Sequence, residues 1–152
     1  MNYSESEKNI YRDKPWLKSY APGVPAELNV DEIVIPDLLR RSAEKFPGLN
    51  SLNFMGYTLN FKELDRMVDR FGAALDRFGI KKGDSVALVL PNTIQCVVAY
   101  YAILRIGAVV VMNNPLYSDR EFLHQLTDSG AKLLVTIDLL ANRMIALRPQ
   151  TR

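Results

Sequence analysis

Few side chains in this sequence could carry chemistry, and each has a plainer role to be weighed against it. Cys96 is the one cysteine and His124 the one histidine in 152 residues. A thiol nucleophile needs an electropositive, partly open setting that favours the thiolate. Cys96 instead lies in the apolar run Ile94-Gln95-Cys96-Val97-Val98, so it reads as a buried structural thiol. His124 falls near the boundary of an apolar helix face, and a triad or metal site would need partners from distant segments. It reads as exposed or half-buried helix packing. With no second histidine or cysteine, a structural zinc site is not expected. Asp65 and Asp69 stand four residues apart, as two carboxylates around a cation would. Arg66 and Arg70 lie beside them, and the spacing predicts a solvated charged face.

Phosphate chemistry leaves a recognisable trace, because a backbone that closely approaches an anion needs glycine. Neither GxGxxG nor GxxxxGK[ST] occurs in the chain. Gly130-Ala131-Lys132 pairs a glycine with a lysine but has no loop glycine upstream at the required spacing. It reads as a helix stop entering a strand. No catalytic, cofactor-binding or metal-ligating residue is assigned from the residues alone.

The bulk composition narrows the classes further. A 48% hydrophobic and 24% charged chain is ordinary for a soluble globular protein. Nineteen basic and 17 acidic residues leave a net charge of +2, spread along the chain. Nucleic-acid binding, which draws on a basic face, is not expected. One cysteine allows no internal disulfide, and Met1 to Asp13 lacks the apolar core of a signal peptide. A cytosolic location is the expected default. Ser85 to Leu104 carries no charge, a length that could span a bilayer. Pro91-Asn92-Thr93 interrupts it, and a break in lipid would strand backbone groups. The stretch reads as strand, turn and helix.

The elements follow from periodicity and punctuation. Residues 1–30 hold Tyr11, Trp16, Leu17 and Tyr20 among charges and then Pro22, Gly23 and Pro25, which predicts an extended arm whose aromatics dock on a surface. Residues 31–152 form the second part. A helix is predicted from Pro36, with Leu38, Leu39, Ala43 and Phe46 on one face and Pro47-Gly48 as its stop. A small hairpin follows, turning at Gly56. Asn60 and Glu63 have the spacing of a capping box. Phe61, Leu64, Met67, Val68, Phe71, Leu75 and Phe78 share one face, and Gly79 ends the helix. Val86 to Leu90 is a continuous apolar run, as in a strand covered on both faces. A buried helix from Thr93 to Ile106 follows, closed by Gly107. Val109 to Met112 reads as a second buried strand. Ser118 and Glu121 open another helix, with Phe122, Leu123 and Leu126 inward and Gly130 at its end. Leu133-Leu134-Val135 is a third strand, and Asp138 is placed to cap a last helix holding Leu139, Leu140, Met144 and Leu147. This βαβαβ order predicts an α/β fold, a parallel sheet flanked by helices.

Several runs also carry a resemblance. Leu59-Asn60-Phe61-Lys62-Glu63-Leu64 resembles the first core motif of the adenylate-forming (AMP-binding) enzymes. LRIGAVVVMNNP, residues 104–115, resembles their second, and KKGDSVALVLPNTIQ, residues 81–95, resembles the strand and Pro-Asn turn between them. NPLYSDREFLHQLTDSGAK, residues 114–132, and KPWLKSYAPGVPAEL, residues 14–28, are similar to the long-chain fatty-acid–CoA ligases. Five segments in order make the combination specific from about Pro15 to about Ala141.

The resemblance implies that residues 31–152 are the N-terminal part of the family's large domain, truncated at its C-terminal end. For a full-length enzyme it implies ATP, Mg²⁺ and CoA, and conversion of a long-chain fatty acid to acyl-CoA through an acyl-adenylate. The family's serine-, threonine- and glycine-rich phosphate loop, its later adenine and ribose motifs and its catalytic lysine have no counterpart here. Lys81, Lys82 and Lys132 do not match that lysine. The segment itself is expected to be inactive scaffold, and the tail Arg148-Pro149-Gln150-Thr151-Arg152 is expected to continue. Ligases for aryl, medium-chain or amino-acid substrates stay open, as does a non-catalytic binding or dimerisation module. A peripheral membrane contact and a homodimer contact through the Trp16–Tyr20 arm also stay open.

Overall fold

The computed structural model describes residues 10–30 and 32–148. The chain divides into two units, Met1–Glu32 and Ile33–Arg152. The start of the N-terminal stretch, residues 1–9, and the tail Pro149–Arg152 lie outside the described residues.

The first unit is not uniformly extended. It holds a helical turn, α1 (Ile10–Asp13), and a 3₁₀ turn over Pro15–Ser19. Pro15 presets φ for the second turn, which Lys14 enters in the left-handed region at φ 43°. Tyr11 and Trp16 meet edge to face at 6.1 Å, and Lys14 bonds Glu27 at 2.8 Å.

The second unit opens with α2 (Ile35–Lys45), which has Pro36 in its first turn. Pro36 and Leu39 are buried, whereas Leu38 and Phe46, expected on the inner face, are exposed. Phe46 already lies past the helix end with a non-helical backbone, so the helical period no longer aims it inward. Strands β1 (Asn50–Phe54) and β2 (Tyr57–Asn60) form the antiparallel hairpin. Met55 and Gly56 both have positive φ, 50° and 84°, the pattern of the tight turn that suits strand twist.

Helix α3 (Phe61–Arg77) starts with the predicted capping box. Glu63 N–H donates to Asn60 Oδ1 at 2.8 Å, and Asn60 N–H donates to Glu63 Oε2 at 2.9 Å. Its buried stripe is Leu64, Val68, Gly72 and Leu75. Met67 and Phe78, expected inward, are exposed. Gly79 takes φ 84°, Ile80 N–H returns to Leu75 O at 3.1 Å, and Ile80 is buried as expected.

Strand β3 (Ser85–Val89) is the centre of the parallel sheet, with β4 (Val109–Met112) on one side and β5 (Leu133–Thr136) on the other. Between them run α4 (Ile94–Arg105) and α5 (Asp119–Ser129), and α6 (Asp138–Leu147) follows β5. Alternation along β3 builds two cores. Val86 and Leu88 join Val68, Leu75, Ala102 and Ile103 on the α3–α4 face. Val89 joins Phe122, Met144 and Leu147 on the α5–α6 face. The charge-free stretch is therefore strand, turn and helix. No helix among the described residues is long and apolar enough to cross a membrane.

Three further expectations change. β4 is an edge strand, not a buried one: Val109 and Met112 are 47% and 50% exposed. An apolar run alone does not separate a central strand from an edge. Asp138 is the first helical residue of α6 and does not cap it; the cap position is Ile137, which has no side-chain bond. Leu139 is exposed, and Met144 and Leu147 carry the buried face.

Gly107 closes α4 at φ 76°, and a Cβ there would stand 2.9 Å from Lys82 Cγ. Gly83 N–H donates to Gly107 O at 2.9 Å. The turn before β3 is thereby tied to the turn before β4. Both strands start level, and their carboxyl ends open on one edge.

Candidate functional site

In parallel sheets ligands gather at the carboxyl ends of the strands. Here three turns meet there: Pro91-Asn92-Thr93 after β3, Asn113-Asn114-Pro115 after β4, and Thr136-Ile137-Asp138 at the end of β5. Their polar groups serve the local backbone. Thr93 Oγ1 caps α4 by accepting from Cys96 N–H at 3.3 Å. Asn114 Oδ1 accepts from Leu116 N–H at 3.0 Å. The Thr136 hydroxyl donates to Val89 O at 3.0 Å, and Leu139 N–H donates to Asp138 Oδ1 at 2.9 Å.

Asn113 is the buried polar exception, at 4% exposure. Its Nδ2 donates to Val111 O at 2.9 Å, while its Oδ1 is buried without a donor. Phosphate oxygens need donors, and the unsatisfied atom is an acceptor. Beside these turns lies an open groove of about 760 Å³, lined by Phe54, Met67, Arg70, Phe71, Thr93 and Val135 among others. Its lining is mainly apolar, with Arg70 and Asp138 as the charges. Arg70 is thus the one cation that this lining could offer to a phosphate. Among the described residues no group of three or more His, Cys, Asp or Glu could hold a metal ion.

The singled-out residues are not brought together into a catalytic set. Cys96 is buried in the α4 core, and burial pushes its thiol pKa up. His124 is exposed on α5. Lys81 bonds Asp76 at 2.7 Å. Lys132 pairs with Asp84 through its ammonium and gives its backbone N–H to Ser85 O at 2.9 Å.

The acidic pair on α3 is corrected by the structure. Asp65 and Asp69 do not form a purely solvated face, because Arg105 at the end of α4 grips both. Its Nη2 lies 2.6 Å from Asp65 Oδ1 and its Nη1 2.6 Å from Asp69 Oδ1. Nη1 also donates to Asp65 O at 3.3 Å. The Arg105 side chain is 9% exposed and that of Asp65 22%. Burial works against the guanidinium charge, but the bonds and charges of Asp65 and Asp69 outweigh it and raise the pKa. Sequence reasoning missed this clamp. The available signal was the first charge after the neutral stretch, Arg105, set against two aspartates one helical turn apart.

Asp84 ties the start of β3 to that of β5. Its Oδ2 accepts from Lys81 N–H at 2.9 Å, and its Oδ1 meets the Lys132 ammonium. The Lys132 bond, then the Lys81 backbone bond, hold its pKa below the ordinary 3.8. A lowered folded-state value adds stability above the unfolded pKa and loses it as pH falls through the folded value. Asp84→Asn is therefore expected to flatten the acid limb of the melting-temperature profile below about pH 4, leaving the slope at neutral pH unchanged. Thermal melts across pH 2 to 7 check this, and an unaltered acid limb would contradict it.

Comparison with known proteins places this framework. The sequence pattern of the family described as AMP-binding enzyme matches residues 39–151. A long-chain-fatty-acid–CoA ligase of Bacillus subtilis (strain 168) is 36% identical over 135 residues, which are 89% of this chain and 24% of the relative. The ligase of that name from Salmonella typhimurium is 39% identical over 133 residues, 86% of this chain and 24% of the relative. The solved structure of a Mycobacterium tuberculosis fatty acyl CoA synthetase is 28% identical, covering 76% of this chain and 23% of that one, with a TM-score of 0.72. The chain thus spans about a quarter of the length of the relatives it matches. Capped helices, a parallel three-stranded sheet and a sequence match over most of its length agree, and the chain belongs to the AMP-binding (adenylate-forming) enzyme family.

Proposed function

We propose that this chain is the scaffold portion of a long-chain fatty-acid–CoA ligase and has no ligase activity by itself. The observation that carries the reading is a juxtaposition. The chain matches curated ligases of this name over 86–89% of its own length but only 24% of theirs. At its strand ends the polar groups of Thr93, Asn114, Thr136 and Asp138 are taken up by neighbouring backbone.

In the whole enzyme a fatty carboxylate oxygen attacks the α-phosphorus of ATP. The bond to pyrophosphate breaks, leaving an acyl-adenylate. The CoA sulfur then attacks the acyl carbon, and AMP departs with the electrons of the broken C–O bond. Mg²⁺ offsets phosphate charge in such chemistry, and no step is assigned to a metal ligand in this chain. Its own residues set strand register and hold α3 on α4, so that a ligand edge stands at the carboxyl end of the sheet.

The purified chain incubated with ATP, Mg²⁺, CoA and a long-chain fatty acid is expected to form no acyl-CoA above the enzyme-free background. The complete ligase, in the same assay, turns over. Acyl-CoA made by the chain alone would overturn the reading.

A further inference from the structure

Helix α3 carries four basic side chains, Lys62, Arg66, Arg70 and Arg77, against the acidic Glu63, Asp65, Asp69 and Asp76. The signs balance in number but not in space. Every one of these carboxylates is engaged. Glu63 turns back to the Asn60 N–H at the helix cap. Arg105 holds Asp65 and Asp69, and Asp76 meets Lys81 at 2.7 Å. The four cations are exposed, and none of them pairs with a carboxylate among the described residues. At about 100° per residue they fall within a sector about 80° wide, on the side away from the buried Leu64, Val68 and Leu75. The result is an outward cationic stripe about 22 Å long.

Exposed apolar side chains flank this stripe. Met67 stands on the adjoining sector of α3, and Phe78, just past the helix end, is 75% exposed. Phe54 shares the groove wall with Met67 and Arg70, and Tyr57 faces Phe54 across the hairpin. Met55, at the hairpin tip, is 91% exposed. Single exposed hydrophobes are ordinary. Here Phe54, Met55, Tyr57 and Met67 gather beside cations that no carboxylate neutralises.

We propose that the outward face of α3, with the tip of the β1–β2 hairpin, is a peripheral contact for an anionic lipid surface. Charge complementarity selects the occupant. A lone phosphate would meet only one or two of the cations, because they are strung along the helix. A layer of anionic headgroups meets all four at once and attracts each of them. It also takes up Phe54, Met55 and Tyr57 at the boundary where apolar and aromatic side chains leave water. A nucleic acid would satisfy the cations and leave the apolar tip in water. A contact of this kind lies on the bilayer and needs no spanning helix.

Co-sedimentation of the chain with vesicles tests this, using equal parts of phosphatidylglycerol and phosphatidylcholine against phosphatidylcholine alone. Binding is expected to the anionic vesicles, weakening by about tenfold or more between about 50 mM and 500 mM salt. Arg66→Glu and Arg70→Glu are each expected to weaken it by about fivefold or more, and more in combination. Both positions are exposed, and glutamate is a good helix former. Met55→Asn removes the apolar tip and suits the positive φ of that residue; it is expected to cost about fivefold or more. Arg120→Glu makes the same charge reversal at an exposed position of α5, across the sheet, and is expected to stay within about twofold of the parent.

No binding to either vesicle, or equal binding to both, overturns the proposal. So does binding that survives the α3 reversals or falls as far with Arg120→Glu. Binding untouched by Met55→Asn, or binding to heparin without binding to vesicles, overturns it in favour of an acidic macromolecule. In the complete ligase the two α3 reversals are expected to weaken vesicle binding as well; unchanged binding there would mean that the rest of the enzyme covers α3, and overturns it too. None of these readouts depends on ligase turnover, so the proposal fails or stands separately from the scaffold reading.

Discussion

Phe122→Ala is expected to destabilise the second unit by about 3–5 kcal/mol, the cost of emptying a fully packed aromatic site. Among the described residues Phe122 is the largest side chain with no exposed surface. Its ring meets Tyr117 edge to face at 5.8 Å, and the Arg143 guanidinium carbon lies 5.0 Å from its centroid. Around it stand Val89, Met144 and Leu147, so one ring joins α5, α6 and the central strand. Small domains hold only about 5–15 kcal/mol in total, and this loss would bring the unit close to unfolding. Urea denaturation followed by circular dichroism measures it. Phe78→Ala, at an exposed ring of the same type, should fall within about 0.5 kcal/mol of the parent. If Phe122→Ala cost no more than Phe78→Ala, the α5–α6 core would not be packed as described.

Arg105→Ala is expected to cost about 2 kcal/mol. Breaking a buried ion pair costs more when the abandoned partner stays out of water, and less when it is solvated. Asp65 is the sheltered partner, whereas the Asp69 side chain is 64% exposed. Asp65→Ala should therefore lose most of the same energy, and Asp69→Ala less than about 1 kcal/mol. In a double-mutant cycle, Arg105 with Asp65 should show coupling of about 1–2 kcal/mol. Additive single losses would mean that the clamp does not hold α3 against α4.

The sequence makes this fold legible wherever a local rule and the tertiary structure agree. Asn60 with Glu63 and Ser118 with Glu121 are capping boxes in both readings. Gly79, Gly107 and Gly130 stand in left-handed conformations past helix ends because only a residue without Cβ adopts them cheaply. The continuous run at β3 is central and buried. The misreadings lie where position in the sheet or contact across the fold decides. Val109 to Met112 is as apolar as β3, but nothing local says how many neighbours a strand will have. Met67 and Leu139 have the right residue type for a core and the wrong angle on their helices, and Phe78 lies just past the end of α3. The Arg105 clamp joins residues 36 and 40 positions apart, a separation that no window of periodicity covers. At the strand ends the residue types point to turns at Pro91-Asn92 and Asn113-Asn114-Pro115, where Thr93 and Asn114 make local backbone contacts, whereas Asp138 is the first residue of α6 and not its cap.

The central claim is that this part of an adenylate-forming enzyme sets architecture and performs neither half of the reaction. ATP–pyrophosphate exchange tests it most directly, because it reads the first half-reaction without requiring CoA. With a long-chain fatty acid, Mg²⁺ and labelled pyrophosphate, the folded chain is expected to put no label into ATP above the fatty-acid-free control. Fatty-acid-dependent labelling of ATP by the 152-residue chain would contradict the account.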